Sequence, residues 1–510
     1  MFLDTVPGTL VEPISGRRWE SSRVMQEVRD RVVYFASQGI TSGNRIFILH
    51  GNRLEFFADL LAVWCLGACA IPINTRLTPF ELQVLAETAR PSHALCPEEF
   101  DSSLLEFLQK EGISPLCADR VGGNSQSMNL TSQFSLDQAA LILFTSGTTG
   151  NPKGVVHTHR SLRARWITLR QSLGQKPYQR TLCLLPTHFG HGLICNCLFP
   201  WLSGQDLFIL PSFSPNIVLQ LGSILDKWKI TFMSSVPSIW RLALTMVSPP
   251  KQGTLERVFC GSAPLSAHMW EGILNWTKAP EVCNAYGITE TGSWVAGSTM
   301  PDAQPEDGLV GVPWGAVIKV LKEKSTATPP GFIEECAAGE SGYIWLNTPA
   351  LMQGYFERED LTNKVVSQGW FMTGDIGAMD ERGWLYLRGR EREEINKGGM
   401  KVYPGDIDAV IERFEDTVDV CCFGYEGDPL YGQNVGVAVV LKVGQVERLS
   451  DLYLWAETHL AKFQLPVQWF FLKDIPRTSR GKINRAQVAQ VCAKLNPLGP
   501  ADLQKNKGRS

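Results

Sequence analysis

The chain has 510 residues, 44% of them hydrophobic and 19% charged. That is enough for two or three domains, since one core rarely serves more than about 250–300 residues. The net charge of −3 argues against nucleic acid or an anionic membrane as a partner. The 13 cysteines are scattered without a C-x-x-C pair, which argues against a zinc site or a disulfide framework and for a reducing, cytoplasmic setting.

In chain order, Arg45–Leu49 reads as a short strand before a helix at Leu54–Leu66. Leu60–Ile73 is too short to span a bilayer and suits a buried helix running into a strand, so no membrane span is expected. Leu141–Phe144 is a continuous apolar run, the pattern of a buried strand. It empties into Thr145, Ser146, Gly147, Thr148, Thr149 and Gly150, with Lys153 just beyond. Such a loop folds backbone N–H groups and hydroxyls around an anion, and the lysine adds a mobile positive charge. It is not a Walker loop, because two residues separate its glycines where four are required.

Leu182–Leu185, Leu207–Leu210, Thr231–Ser234 and Arg257–Cys260 continue a series of strands alternating with helical stretches. That predicts an α/β fold of parallel sheets covered by helices. From about Gly311 glycines punctuate Ile, Val and Trp, and Gly342–Leu346 and Trp384–Leu387 read as strands of a small β-barrel-like part. The charged run Arg388–Glu394 reads as a hinge. Beyond it a helix at Tyr403–Phe414, strands at Val418–Phe423 and Val435–Leu441, and a helix at Leu452–Lys462 describe a smaller mobile α+β domain, within the usual size range. The expected division is 1–389 and 390–510. The polar tail Pro497–Ser510 reads as disordered.

Four more segments carry chemistry: FCGSAPLS at Phe259–Ser266, NAYGITETG at Asn284–Gly292, WFMTGDIG at Trp370–Gly377 and PRTSRGKINR at Pro476–Arg485. With the glycine-rich loop, in this order and spacing, they resemble the adenylate-forming superfamily. Its members include acyl- and aryl-CoA synthetases, luciferases and peptide-synthetase adenylation domains. The resemblance runs over nearly the whole chain and lies nearest the acyl-CoA synthetases. It implies ATP, Mg²⁺ and coenzyme A, or a carrier protein's phosphopantetheine, as cofactors. The implied reaction joins a small-molecule carboxylic acid to AMP, then to a thiol.

On this resemblance Tyr286 offers a flat face to adenine, Gly261, Ser262 and Ala263 leave room for the base, and Asn284 reads its edge, with Ala285 and Gly287 on either side of the tyrosine. Thr289 donates to phosphate and Glu290 holds Mg²⁺. Asp375 accepts the ribose hydroxyls, and Arg390 touches ribose or phosphate. Lys482 bridges the attacking carboxylate and the α-phosphate. The hinge position is Arg392, and Gly398 and Gly399 line the thiol tunnel. The acid pocket takes Phe189, His191, Cys195, Ala285, Ser293 and Trp294. No aspartate stands where amino-acid-activating domains hold an ammonium group, and Gly287 replaces the tryptophan that closes acetate-type pockets. An aryl or medium-sized acyl acid is expected. Three alternatives stay open: loading of an acyl carrier protein, a non-catalytic nucleotide-binding relative, and a luciferase-like oxygenase.

Overall fold

The computed structural model describes residues 6–117, 135–145, 152–211, 215–326, 330–397, 400–426, 433–442, 448–478 and 481–505. Two sheets organise the larger part. The first has seven strands in the order Gly354–Tyr355, β2 (Lys153–Thr158), β1 (Ala139–Thr145), Cys69–Pro72, Arg45–Ile48, His93–Leu95 and Ser114–Leu116. The strands beyond β1 run parallel, and β1 and β2 pair antiparallel.

The second sheet runs in parallel through Leu10–Val11, Asp206–Ile209, Arg180–Cys183, Phe232–Ser235, β3 (Arg257–Gly261) and β4 (Glu281–Ile288). It then turns antiparallel through β5 (Ser293–Gly297) and Leu309–Pro313. A ladder of β6 (Trp370–Met379), β7 (Leu385–Arg390), Gly342–Asn347 and Val317–Leu321 completes it. The barrel-like part expected from sequence is this antiparallel continuation of the second sheet.

The two-residue period of a strand decides the layers. Ile46 and Ile48 face a core shared with Leu207, Ile209 and Phe259 of the second sheet, while Phe47 and Leu49 face the opposite side. Helices Ser21–Ser37, Leu54–Cys65 and α1 (His159–Leu173) fill that shared core. Outside the first sheet lie Pro79–Ala89 and Ser102–Lys110. Outside the second, Phe208, Leu210, Val258 and Cys260 pack under α2 (Pro237–Met246) and Ala267–Thr277. The result is five alternating layers, with the C-terminal ends of β3 and β4 placed where α/β sheets usually receive a ligand.

The remaining residues build two cores of their own on either face of a three-stranded sheet. Its strands are β8 (Thr417–Glu426), Gln433–Leu441 and Gln468–Phe471. Val420 and Cys422 face one core, Cys421 and Phe423 the other, so the adjacent thiols point apart. All 13 cysteines are free. The tail departs from expectation. Pro500–Lys505 is a helix whose Leu503 is 1% exposed, and the Ser450 hydroxyl donates to the Leu503 carbonyl at 2.5 Å. One apolar side chain with a hydrogen-bonded backbone outweighs a polar composition.

Candidate active site

Thr145 and Lys153 are register partners at the end of the β1–β2 pairing. Ser146, Gly147, Thr148, Thr149 and Gly150 lie outside the described residues. Lys153 Nζ sits 5.6 Å above the ring of Tyr355, a favourable cation–π distance. Tyr355 is brought there by pairing of its strand with β2, and its hydroxyl donates to Glu290 Oε1 at 2.7 Å. Burial and the Glu290 charge push this phenol far above its usual range, so it stays a donor.

Glu290 stands on a single 3₁₀ turn, Thr289–Thr291, at the end of β4. Two buried groups fix that turn. His157 Nε2 donates to the Thr289 carbonyl at 2.8 Å, and burial lowers this imidazole to about 4, leaving it neutral. Arg165, on α1, donates through Nη2 and Nε to the Thr291 carbonyl at 2.8 and 3.2 Å and through Nη1 to Trp314 at 3.0 Å. Burial drops this guanidinium to about 10, so it remains a cation compensated by carbonyl dipoles.

Asp375 lies within β6, not at a strand end. Its Oδ2 accepts from the Tyr286 hydroxyl and its Oδ1 faces Arg390 Nε, both at 2.6 Å. Tyr286, Asp375 and Arg390 therefore form one cluster on three strands. The tyrosine is only 6% exposed. Asn284 has a use that the sequence did not suggest: one N–H of its side-chain amide donates to the Leu309 carbonyl at 2.8 Å, bracing the sheet. So does Gly287. A Cβ there would lie 2.0 Å from the Ser293 carbonyl oxygen, so its glycine answers to the irregular β4–β5 pairing.

At the end of β3, a Cβ on Gly261 would lie 2.3 Å from the Ala285 carbonyl oxygen. Ser262 follows with φ +66°, a strained conformation for a non-glycine residue, and Ala263 is half-buried. The Ser262 hydroxyl is hydrogen-bonded to His191 Nδ1 at 2.8 Å, and Ser234 Oγ to His191 Nε2 at 2.6 Å. His191 begins a π-helical segment, His191–Leu198, a geometry frequent at functional sites. Burial, with the Lys482 charge nearby, drops its imidazole to about 3. Phe189 lies 6.0 Å from it, ring to ring. Cys195 and Trp294 are packed in the core: Cys195 Sγ accepts the Trp294 N–H at 3.4 Å, and the indole lies against Phe259 at 4.9 Å. Ala285 and Ser293 are buried beside them.

Lys482 sits in a tight turn between the bridged residues Arg477 and Ile483. Its N–H donates to Thr478 Oγ1 at 3.3 Å, and its carbonyl accepts from the Thr478 N–H at 2.8 Å. On its far side Arg485, which opens α3 (Arg485–Cys492), pairs with Asp408 at 2.7 Å and Glu393 at 3.2 Å. Glu393 and the exposed Arg392 share a short 3₁₀ turn between β7 and the next strand. Gly398 and Gly399 lie outside the described residues. Among the described residues no group of three His, Cys, Asp or Glu is placed to hold a metal, and no helix is long and apolar enough to cross a membrane.

Over residues 15–356 the sequence matches the model of a family described as AMP-binding enzyme. The chain belongs to that family. It is 27% identical over 495 residues to a protein of Humulus lupulus named probable CoA ligase CCL9, covering 94% of this chain and 92% of that one. It is 28% identical to a 2-succinylbenzoate–CoA ligase of Bacillus cytotoxicus, over 89% of each. The crystal structure of ATP-bound MatB from Rhodopseudomonas palustris shares the fold, with a TM-score of 0.84 over 96% of this chain and 97% of that one at 24% identity. Tyr355, His157 and Arg165 escaped the sequence reading: a tyrosine in LMQGYFERED, a histidine on a strand and an arginine on a helix carry no signal of their own.

Proposed function

We propose that this AMP-binding enzyme activates a carboxylic acid with Mg-ATP and passes the acyl group to the thiol of coenzyme A. The carrying observation is that the residue before Lys482 is seated on α2, a Cβ on Gly481 lying 2.5 Å from Ser238 Oγ, in the same molecule that gathers Tyr286, Asp375 and Arg390 into one cluster. In the first half-reaction a carboxylate oxygen bonds to the α-phosphorus as the bond to the bridging oxygen breaks and pyrophosphate leaves. Two anions must meet, and a lysine between them offsets the repulsion in a water-poor cleft. In the second, the thiol sulfur attacks the acyl carbon, loses its proton, and AMP departs. Residues from about 390 onward are read as a lid that turns about Arg392 between the two steps.

Glu290 fits a Mg²⁺ that arrives with the nucleotide: a single carboxylate, oriented by Tyr355, beside substrate phosphates suits a cation that keeps most of its water. Such an ion would neutralise phosphate charge. Lys153 and the glycine-rich segment before it are read as the hold on the leaving pyrophosphate, and the Tyr286–Asp375–Arg390 cluster as the nucleoside seat.

An aryl or medium-sized acyl acid is favoured because the expected pocket residues around His191 are uncharged: His191 is neutral with both nitrogens bonded, and Phe189 is aromatic. The similarity to a 2-succinylbenzoate–CoA ligase agrees with that class. The test is ATP–pyrophosphate exchange across a panel of benzoic and C4–C10 acids, followed by mass spectrometry of the acyl product with CoA or a carrier protein as acceptor. Exchange with one group of acids and an acyl-CoA product support the reading. Exchange with no acid rejects it.

A further inference from the structure

Helix α2 carries Ser238 and Arg241 one turn apart, while Ile239, Trp240 and Ala243 enter the core. Both outer residues meet the C-terminal part of the chain. A Cβ on Gly481 would lie 2.5 Å from Ser238 Oγ, so the residue before Lys482 is seated directly on α2. Arg241 Nη1 lies 2.9 Å from Glu412 Oε1 and 3.1 Å from Asp419 Oδ1. The other oxygen of Asp419 accepts from Arg477 Nη2 at 2.5 Å. Arg477 Nη1 in turn donates to the Gly481 carbonyl at 3.2 Å. All four side chains are at most 20% exposed. A balanced set of two cations and two anions thus links a helix of the nucleotide-binding part to the peptide unit that precedes Lys482.

We propose that Arg241 is a positioning residue for adenylation: it latches the C-terminal part in the pose that holds Lys482 in the cleft. The proposal rests on the reading that Lys482 serves the first half-reaction. Breaking a partly buried pair leaves Asp419 and Glu412 short of a cation, which favours poses in which they meet water. Turning the lid for the thiol step breaks the same contacts, so the latch favours the first step only. A second ion pair across the boundary, Arg413–Asp307, is more exposed and should contribute little.

The experiment compares Arg241→Gln, Arg241→Lys and Arg413→Gln. Arg241→Gln should lower acid-dependent ATP–pyrophosphate exchange by roughly 10- to 100-fold, the range of an inter-site coupling, while thioester formation from a supplied synthetic acyl-adenylate stays within about twofold. Arg241→Lys should recover most of the exchange, and Arg413→Gln should resemble the unsubstituted protein. Equal loss of both half-reactions, or no loss of exchange, overturns the latch. Absence of exchange in the unsubstituted protein counts against the proposed function instead. The latch is then judged by deuterium uptake of residues 475–485 in the unliganded protein: faster uptake in Arg241→Gln alone supports it, and equal uptake in both glutamine variants rejects it.

Discussion

Gly287→Ala separates two accounts of the turn below the nucleotide. From sequence, a glycine after Tyr286 reads as space left for a deep acid pocket. In the structure an added Cβ meets only backbone: the Ser293 oxygen at 2.0 Å, its carbon at 2.4 Å and Trp294 Cα at 2.8 Å. An ordinary carbon–oxygen contact is about 3.3 Å, so β4 and β5 would have to part by more than 1 Å at a point where their register already shifts. Overpacking against a backbone that cannot rotate away costs about 3 kcal/mol. The damage reaches Glu290, three residues on. Urea unfolding followed by tryptophan fluorescence should show an earlier midpoint, and the KM for ATP should rise with every acid used. An unchanged midpoint together with selective loss of the larger acids would refute the packing argument and restore the pocket reading.

Tyr355→Phe removes the hydroxyl that donates to Glu290. A hydrogen bond to a charged group is worth about 1.5–3 kcal/mol, so the KM for Mg-ATP should rise about tenfold or more without loss of thermal stability; an unchanged KM would remove Tyr355 from the site. Acid should destabilise the fold steeply. Burial holds His157 and His159 at about 4 and His191 at about 3, below the usual 6.5, so the unfolded chain binds more protons. Stability is then lost as pH falls from 6.5 towards 4, by about 1.4 kcal/mol per pH unit for each imidazole. Asp406, raised by burial to about 6, acts in the opposite sense and offsets part of this. Urea midpoints at pH 7.5 and 5.5 test the slope, which His159→Phe should reduce by roughly a third; an unaltered slope would place the proton uptake elsewhere.

The α/β class, with parallel sheets covered by helices, was legible because β strands sort their residues by parity. Runs such as Arg45–Leu49 and Leu207–Leu210 are apolar on both faces, which signals a sheet covered on both sides. Motif order likewise pointed to the cluster of Tyr286, Asp375 and Arg390. What sequence could not show was how already adjacent groups spend their hydrogen bonds. Asn284 looked available to a base, yet one N–H of its amide goes to the Leu309 carbonyl. Arg165 carries no signal of its own in the sequence, yet it is fully buried and donates to the Thr291 and Trp314 carbonyls and the Thr348 hydroxyl. The α2 contacts with Glu412 and Asp419 join residues far apart in the chain, and nothing in their local sequence marks them. The helical tail is anchored by Leu503 and the hydrogen bond from Ser450 to its carbonyl, a detail that composition averages away.

The central claim is that Lys482 serves acid activation and not thiol capture. The direct measurement is the ratio of the two half-reactions in Lys482→Ala, with exchange assayed on the best acid of the panel and thioester formation assayed from its synthetic adenylate. The account predicts loss of exchange by about 100-fold or more, the scale of removing one transition-state charge partner, with thioester formation nearly unchanged. Equal loss of both, or exchange that survives, would contradict it.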